Sequence, residues 1–585
     1  MSRSSLFQAI RIVFLAAATL LLACAAFAQN YVAPSMPVVG SPNTVTANAP
    51  VPRPGTTPCT VTLFQNFDFD DFNPRPFSYT PPSGCPGPWA AVVFEADWSV
   101  DAGVQYDRTT NIWLGGNVIF FGTTAEPSGN FVRSWHTESN LTELSPLFAI
   151  PQQGTAILFN LVNNQYTSHY HGSAYLQFYP LAQGQNPPPA ANMVLPLSAG
   201  STGGTVTLNS STDQLTGTFT MPTNVEAAYL EVFAQGQQDD EFWYVCAPTD
   251  LAGELDSCPN TGFREAEVSI DGTSAGVAPI YPWIFTGGID PFLWQPIPGV
   301  KTLNFEPYRV DLTPFASVFS NGQPHTVAVS VYNADQYFSA TANLLLYQDL
   351  GSMQVTGAVT TNTVGQPDPV VTENIVTNSN YAAGPVSVNS TRGFTVEGYV
   401  QTSHGMVDTK VVQSIDFNNG QRYYVPTSGL VDNQFIGQIT NISSATTTTA
   451  GSNVTTNTTQ YAWPLGINYA YTANSDGSYV QSTQINQSFS RNVLVELNGS
   501  PTYSSSLLDK VSPTDTLSVD SSGNYTTSNQ TNSETYQYSN SNGACWNETI
   551  KAAAGNVTSV QGGSCARGQK AKVVEENHRS RFATD

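Results

Sequence analysis

The chain has 585 residues, of which 43 are acidic and 20 are basic, and its formal charge is −23. A charge of that sign argues against binding of nucleic acid, which requires a basic face, and a chain of this length is expected to fold as two or three domains. Glycine, threonine, serine and asparagine are abundant and helical periodicity is hard to find after residue 28, so the predicted fold class is all-β.

Residues 1–28 have the pattern of a secretion signal peptide. Two arginines precede an almost wholly apolar stretch, and Ala26-Phe27-Ala28 fits a cleavage site. Cys24 could instead be the lipid-bearing cysteine of a bacterial lipoprotein. No later stretch is long and apolar enough to span a membrane. We therefore expect a secreted protein, extracellular or periplasmic.

The remaining chain divides by composition. Residues 29–57, rich in proline, alanine and threonine, are expected to form an extended linker. A first β-sandwich should follow over residues 58–191 and a second over residues 192–350. Residues 351–570, rich in threonine, serine and asparagine, are predicted to form a third β region, and the polar tail 571–585 to be disordered.

Alternation of apolar and polar residues predicts individual strands. Ala174, Leu176 and Phe178 alternate with polar or aromatic neighbours, and the proline-rich run Gln183–Ala191 ends that pattern. The clearest later strands are Tyr229–Phe233, Ala266–Ile270, Thr326–Tyr332, Ala342–Tyr347, Gly393–Val400 and Lys410–Phe417. Thr446–Thr459 is almost purely polar, and we expect it to be a loop.

The densest group of acids, arginine and aromatics surrounds one predicted hairpin. Ile112–Leu114 and Val118–Phe121 are short apolar runs, and the Gly-Gly-Asn between them accepts the positive φ of a tight turn. Asp107-Arg108 should lie on the loop entering the first strand, and Glu126 just after the second. Because sites are commonly built from loops at one end of a sheet, these residues are candidates for function.

Six cysteines remain after the signal peptide. An even number in an exported chain indicates disulfides rather than buried thiols. Pairing of sequence neighbours is the simplest of the possible connectivities, and the others stay open. The sequence-adjacent pairs are Cys59–Cys85, Cys246–Cys258 and Cys545–Cys565.

The order of motifs around this hairpin resembles the peptide:N-glycosidase A family, acid amidases that release N-linked glycans from glycoproteins. The shared motifs are Gln105–Arg108, Trp113–Gly116, Thr124–Pro127, Asp240–Tyr244, Phe263–Glu265, Ser269–Gly272, Phe285–Pro291 and Leu293–Ile297. The resemblance spans residues 58–350 and thins out beyond them. It implies two jelly rolls side by side, a site in the cleft between them, and N-linked glycopeptides and glycoproteins as substrates.

Amide hydrolysis needs a base for water, an acid for the leaving nitrogen and donors for the oxyanion. The resemblance, which extends to an Asp-Arg step in the flavobacterial-type enzyme, assigns Asp107 as the main catalytic carboxylate. Glu241 is the expected partner, and Arg108 would orient Asp107 or steady the carbonyl oxygen. The flavobacterial-type enzyme's other glutamate aligns near Tyr170, which is not an acid. The alternative for Asp107-Arg108 is a surface ion pair.

The remaining candidates would bind substrate. Flat rings suit the apolar face of a sugar, and acids or arginine suit its hydroxyl and acetamide groups; the alternatives are core packing for the rings and a buried structural network for the polar groups. The predicted substrate-binding residues are Trp113, Trp243, Tyr244, Trp294, Glu126, Asp240, Arg264 and Asp290.

Three motifs suggest other chemistry, and we expect neither metal nor cofactor. His169 and His171 have strand spacing for copper or zinc but lack a third ligand in sequence. Asp68, Asp70 and Asp71 form an acidic group without EF-hand spacing. Gly272–Gly276 fits G-x-S-x-G, but the residues after it cannot start a helix.

The alternative function is a secreted carbohydrate-binding or adhesin protein without catalysis. Composition alone would favour it, whereas the acids on two separate domains favour an amidase. A copper monooxygenase on paired jelly rolls would need more histidines than the six present. We expect the protein to be a monomer.

Overall fold

The computed structural model describes residues 37–565. The predicted signal peptide, Cys24, the start of the linker and the tail 571–585 lie outside the described residues. Helical segments within the described range are short, and none is long and apolar enough to cross a membrane. They are the 3₁₀ helices Thr142–Phe148, Gln238–Val245 and Thr313–Phe315, and the single turn α1 (Ala316–Phe319).

The first sandwich, here called the first jelly roll, contains β1 (Cys59–Phe69), β2 (Arg75–Tyr79), β3 (Trp89–Val100), β4 (Thr109–Leu114), β5 (Asn117–Thr123), β6 (Arg133–Asn140), β7 (Gln152–Leu158) and β8 (Tyr170–Pro180). Its sheets have the orders β1-β8-β3-β6 and β2-β7-β4-β5, which is jelly-roll topology. Both sheets contribute side chains to one core, among them Phe94, Phe178 and Ile112.

The second jelly roll repeats this topology. Its strands are β9 (Met193–Leu197), β10 (Val206–Leu208), β11 (Leu215–Thr220), β12 (Val225–Gln237), β13 (Glu265–Ile270), β14 (Thr273–Pro279), β15 (Tyr308–Asp311), β16 (Pro324–Tyr332) and β17 (Tyr337–Gln348). The sheet orders are β10-β17-β12-β15 and β11-β16-β13-β14, with β9 added beside β17. The predicted pair of jelly rolls is confirmed; the exact domain boundaries stay a prediction.

Strand β5 joins the two jelly rolls because it is buried on both faces. Phe120 belongs to the core of the first jelly roll, whereas Phe121 packs with its ring centroid 5.4 Å from that of Phe233 in β12. The Asn343 side chain donates to the Val118 carbonyl at 2.8 Å and accepts its N–H at 3.1 Å. The loops at the ends of β4 and β5 therefore lie against the second jelly roll.

A single antiparallel sheet follows, here called the C-terminal sheet. It contains β18 (Thr356–Asn362), β19 (Val370–Glu373), β20 (Val376–Thr377), β21 (Tyr381–Thr402), β22 (Gly405–Pro426), β23 (Val431–Ala450), β24 (Asn453–Ala473), β25 (Tyr479–Leu497), β26 (Ser500–Val511), β27 (Thr514–Val519), β28 (Tyr525–Asn540), β29 (Cys545–Ala553) and β30 (Asn556–Ser564). Burial alternates residue by residue along β21, β22 and β25, so one face is covered by protein.

The prediction of a loop at Thr446–Thr459 is wrong. These residues belong to β23 and β24, which pair in register across a turn at Gly451-Ser452. Threonine is β-branched and suits a pleated strand even where its side chain faces water, so a polar run of threonines extends the sheet rather than ending it.

The structure contains the sequence-adjacent disulfides Cys59–Cys85, Cys246–Cys258 and Cys545–Cys565. The described part of the linker has no helix or strand, but it packs on the C-terminal sheet. The Ala47 N–H donates to Glu534 Oε2 at 2.8 Å, and the Ala47 carbonyl accepts from Trp546 Nε1 at 3.0 Å. This segment is therefore a fixed part of the fold.

Candidate active site

Asp107 and Glu126 are brought together by the hairpin of β4 and β5. The predicted Gly115-Gly116 turn is present, with φ of 57° and 83°. The Asp107 N–H donates to Glu126 Oε2 at 2.9 Å, linking the loop that enters β4 to the loop that leaves β5. One residue on, the Arg108 N–H donates to Thr124 Oγ1 at 2.9 Å. The two carboxylates are thus held side by side, as the hairpin predicts.

The loop Phe285–Ile297 of the second jelly roll closes over this pair. Its Gly287 N–H lies close enough to the Asp107 carboxylate to oppose the rise in the pKa of Asp107. A methyl group on Gly287 would lie 2.6 Å from Asp107 Oδ1 and 2.9 Å from Glu126 Oε2, so any larger residue here would displace these carboxylates. The Thr286 hydroxyl donates to the Thr124 carbonyl at 2.8 Å and fastens the loop in place.

Glu241 adds a third acid from the second jelly roll. It lies in the 3₁₀ helix Gln238–Val245, which follows β12, and its side chain is half-buried. Asp107 is close enough for its negative charge to raise the pKa of Glu241. The predicted carboxylate pair is therefore brought together across the contact between the two jelly rolls.

Burial raises the pKa of all three acids. Burial, and then the charge of Asp107, raises the pKa of Glu241 to about 8. The same two causes raise the pKa of Glu126 to about 8. Burial also raises the pKa of Asp107, but the Gly287 N–H and the Arg108 charge oppose that shift. Interacting acids of this kind share protons, so one can be ionised while its neighbours stay protonated.

Tyr170 lies behind the site, where the flavobacterial-type enzyme's second glutamate was expected. It is fully buried, and its hydroxyl lies 2.8 Å from the Tyr106 carbonyl, to which it can donate, and 3.2 Å from the Ala125 carbonyl. These carbonyls immediately precede Asp107 and Glu126. Tyr170 therefore fixes the backbone of both acids instead of supplying a carboxylate.

Arg108 acts on Asp107 through its charge. Its guanidinium donates to Gln105 Oε1 and lies over the Tyr106 ring, with 5.9 Å between the guanidinium carbon and the ring centroid. In this arrangement the positive charge favours the ionised form of Asp107.

The four aromatic rings predicted to bind sugar are buried in the structure. Their exposed fractions are 0% for Trp113 and Tyr244, 1% for Trp294 and 3% for Trp243, so no ring face is open to a ligand. Core packing accounts for all four. Tyr106, which was not among the predicted rings, precedes Asp107, is 56% exposed, and has its ring centroid 5.6 Å from that of Tyr166.

Asp240 and Arg264 form a buried network rather than a binding surface. Arg264 Nε donates to Asp240 Oδ1 at 2.9 Å, and the N–H of Asp335 donates to Asp240 Oδ2 at 2.8 Å. These contacts anchor the 3₁₀ helix that carries Glu241. Because both Asp240 oxygens are occupied, the expected contact with sugar hydroxyls has no support here.

Asp290 is also buried, at 1% exposure, and its Oδ1 accepts the Phe292 N–H at 2.9 Å. Its carboxyl lies beside that of Asp515 in the C-terminal sheet, and burial raises the pKa of Asp290. Asp290 thus links the loop Phe285–Ile297 to the C-terminal sheet and, like Asp240, is not presented to a ligand in this structure.

The other motifs lie apart from these acids. His169, just before β8, pairs with Asp68 at 3.0 Å, and His171, within β8, pairs with Asp101 at 3.2 Å. Asp68, Asp70 and His169 could place three ligand atoms within 4.8 Å of one another, but Arg75 already pairs with Asp70. Ser274 lies within strand β14, which has no strand-to-helix elbow.

Comparisons with known proteins agree with the motif order. The family model described as peptide N-acetyl-beta-D-glucosaminyl asparaginase amidase A matches residues 46–365. The peptide-N4-(N-acetyl-beta-glucosaminyl)asparagine amidase A of Prunus dulcis is 30% identical over 394 residues, which is 63% of this chain and 67% of the relative.

Solved structures with similarity to the chain include PNGF-II, with a TM-score of 0.35 and 12% identity over 50% of this chain and 65% of that chain. They also include PNGase F, a glycosylasparaginase from Flavobacterium meningosepticum, with a TM-score of 0.34 and 12% identity over 50% of this chain and 96% of that chain. The family match covers more than half of the sequence, and the almond relative matches beyond it. The chain belongs to the peptide N-acetyl-beta-D-glucosaminyl asparaginase amidase A family.

Proposed function

We propose that the chain hydrolyses the amide bond between the innermost N-acetylglucosamine of an N-glycan and its asparagine, leaving aspartate in the peptide. The observation that carries this proposal is the group of three acids, Asp107, Glu126 and Glu241, at the contact between the jelly rolls. Family membership and the name of the almond relative support an amidase of glycopeptides and glycoproteins.

Asp107 is the base in this reaction. The Gly287 N–H and the Arg108 charge favour its ionised form, so it can take a proton from a water molecule. The water oxygen attacks the carbonyl carbon of the asparagine side chain. The carbon–nitrogen bond then breaks, and the peptide keeps the new carboxyl group as aspartate.

Glu241 is the acid in this reaction. Because burial and the Asp107 charge raise its pKa to about 8, it carries a proton at neutral and acidic pH. That proton passes to the leaving nitrogen, and the sugar departs as a glycosylamine. Glu126, whose pKa is also about 8, is protonated over the same range, so it adds no second charge beside Asp107.

Tyr106 is the ring best placed to cover the apolar face of the innermost sugar. It is exposed and adjoins the catalytic base, and Tyr166 packs against it. Exposed rings alone would equally suit a carbohydrate-binding protein. A carbohydrate-binding protein does not need three acids whose proton affinities depend on one another, so this group favours the hydrolase.

Mass spectrometry of an N-glycosylated peptide after incubation tests this function. We expect release of the whole glycan and a peptide carrying aspartate at the former glycosylation site. A peptide that keeps one N-acetylglucosamine on asparagine would identify a glycosidase instead. An unchanged glycopeptide that stays bound to the protein would identify the carbohydrate-binding alternative.

A further inference from the structure

The covered face of the C-terminal sheet carries side-chain amides that point at the second jelly roll. Along β22 these are Gln413, Asn419 and Gln421, and along β25 they include Gln481. Each is 8% exposed or less. They occupy alternate positions on their strands, which places them on the same face of the sheet.

One set of amides holds the loop Phe285–Ile297. Gln481 Nε2 donates to the Ile289 carbonyl at 3.0 Å. Gln530 donates to the Phe292 carbonyl, and Asn532 Nδ2 donates to the carbonyls of Leu293 and Ile297, both at 2.9 Å. This is the loop whose Gly287 N–H meets Asp107.

Ile289 shows why such support is needed. Its φ is 66°, in the left-handed region that a β-branched residue rarely adopts, and it follows Gly287 by two positions. Strained backbone of this kind persists only where its surroundings fix it. The hydrogen bond from Gln481 to the Ile289 carbonyl supplies that restraint from the C-terminal sheet.

A second set of side chains holds the segment after Glu241. Asn419 Nδ2 donates to the Tyr244 carbonyl at 2.8 Å, and Gln421 Nε2 donates to the Cys246 carbonyl at 3.0 Å. The Tyr423 hydroxyl lies 3.0 Å from the Val245 carbonyl and can donate to it. The C-terminal sheet therefore hydrogen-bonds to both segments of the second jelly roll that lie against Asp107, namely the loop Phe285–Ile297 and the segment after Glu241.

Neutral donors suit this task. Carbonyls of irregular loops lack the partners that a helix or sheet would give them, and a buried carbonyl without a partner is costly. An amide satisfies such a carbonyl without burying a charge beside three carboxylic acids. A purely apolar sheet face would exclude water equally well but would leave these carbonyls unpaired.

We propose that the C-terminal sheet is the positioning platform of the catalytic centre. Its amides fix the loop Phe285–Ile297, and with it the Gly287 N–H, against Asp107, and they fix the segment that carries Glu241. Gln481, Asn419 and Gln421 are therefore positioning residues for the amidase reaction. This inference rests on the proposed function and gives residues 356–564 a part in it.

The test compares two identical substitutions on one face of the sheet. Gln481→Met removes the donor to Ile289. Gln413→Met is the matched control, because Gln413 is equally buried and donates to the Tyr308 hydroxyl at 2.9 Å, away from both loops. For each purified variant, the melting temperature, kcat, KM and pH profile of glycan release are measured.

We expect both variants to lose a similar amount of thermal stability and to keep the KM of the unaltered protein. Only Gln481→Met should lower kcat, by about tenfold or more, because small misplacements of catalytic groups are costly. The fall of its rate in acid should begin at a higher pH, since without the Gly287 N–H the pKa of Asp107 would rise. If the two variants have equal kcat and lose activity at the same acidic pH, the proposal that the sheet positions the catalytic centre is wrong.

Two further variants keep the result decisive. If Gln481→Met does not fold, Gln421→Met provides the same comparison at the Glu241 segment, and a kcat equal to that of Gln413→Met would again overturn the inference. Asp107→Asn separates the two proposals. An inactive Asp107→Asn beside indistinguishable glutamine variants removes only the platform. An active Asp107→Asn removes Asp107 as the base, and an unaltered protein that releases no glycan removes the proposed function itself.

Discussion

Gly287 brings the backbone of the second jelly roll into contact with two carboxylates of the first. Gly287→Ala tests how closely this contact controls the reaction. The added methyl would lie 2.6 Å from Asp107 Oδ1, so the carboxylate must move. We expect a fall in kcat of about a hundredfold, the effect that displacement by about 1 Å can have. Wild-type kcat in a folded Gly287→Ala protein would contradict the close contact.

The proton on Glu241 determines the highest pH at which the enzyme stays active. Because its pKa is about 8, the rate should fall as the pH rises through that value and the acid loses its proton. The rate should also fall in acid, when Asp107 becomes protonated. We expect a bell-shaped profile of kcat with its maximum on the acid side of pH 8. A rate that increases steadily from acid to alkaline pH would exclude Glu241 as the proton donor.

At the scale of elements, the β4–β5 hairpin separates two roles that aromatic residues can play. Trp113 in β4 is fully buried, whereas Tyr106, on the loop before it, is exposed. Trp113→Ala should lower the free energy of unfolding by about 3–5 kcal/mol, the usual cost of emptying a core tryptophan site. Tyr106→Ala should leave stability almost unchanged and raise KM.

Chemical denaturation and steady-state kinetics of both variants check this prediction. A stable Trp113→Ala protein whose only defect is a raised KM would restore the sugar-binding role of Trp113. The same pair shows what residue type alone cannot reveal. Aromatic side chains serve cores and binding surfaces alike, and only the packing of distant strands decides which.

Local signals predicted the elements well. The Gly-Gly-Asn turn placed Asp107 and Glu126 at one end of a hairpin, because positive φ is a property of those residues themselves. The contact between Asp107 and Gly287 joins residues on different jelly rolls, and no local pattern predicts it. The strands in Thr446–Thr459 were missed because polarity was given more weight than the β propensity of threonine.

At the scale of the whole molecule, two buried acid pairs involve the C-terminal sheet, one joining it to the loop Phe285–Ile297 and one lying between two of its own strands. Asp515 lies beside Asp290, and burial followed by the charge of Asp290 raises the pKa of Asp515 to about 7. Asp509 lies beside Glu534, and burial raises its pKa to about 6 although Lys301 opposes the shift. Both pairs are therefore stable when they carry protons.

This arrangement predicts greater stability in acid than at alkaline pH. The folded pKa values exceed the ordinary ones, so the stabilisation is fully present below the ordinary pKa and is lost as pH rises through about 6 to 7. Asp349 acts in the opposite sense. Burial disfavours its charge, but hydrogen bonds from Ser403 and the Gly351 N–H together outweigh burial and lower its pKa, so its stabilisation is lost only at low pH. We expect the melting temperature to be highest in mild acid.

Thermal unfolding across pH measures this dependence, and Asp515→Asn identifies its source. Asparagine keeps the shape of the side chain but cannot ionise, so the fall in melting temperature above neutral pH should become smaller. Asp520→Asn is the control, because Asp520 lies in an exposed turn and its pKa is lowered by Asn524. An unchanged alkaline slope in Asp515→Asn would show that the carboxyl pair does not govern stability.

The central claim is that Asp107 activates the water that cleaves the glycan, and Asp107→Asn tests it most directly. The change keeps the N–H bond to Glu126 but removes the basic oxygen, so turnover should fall at least about a hundredfold. The folding midpoint and glycopeptide binding should stay near those of the unaltered protein. Asp101→Asn, an exposed acid on the same loop, should keep full activity. A folded Asp107→Asn protein with near-normal turnover would contradict the account.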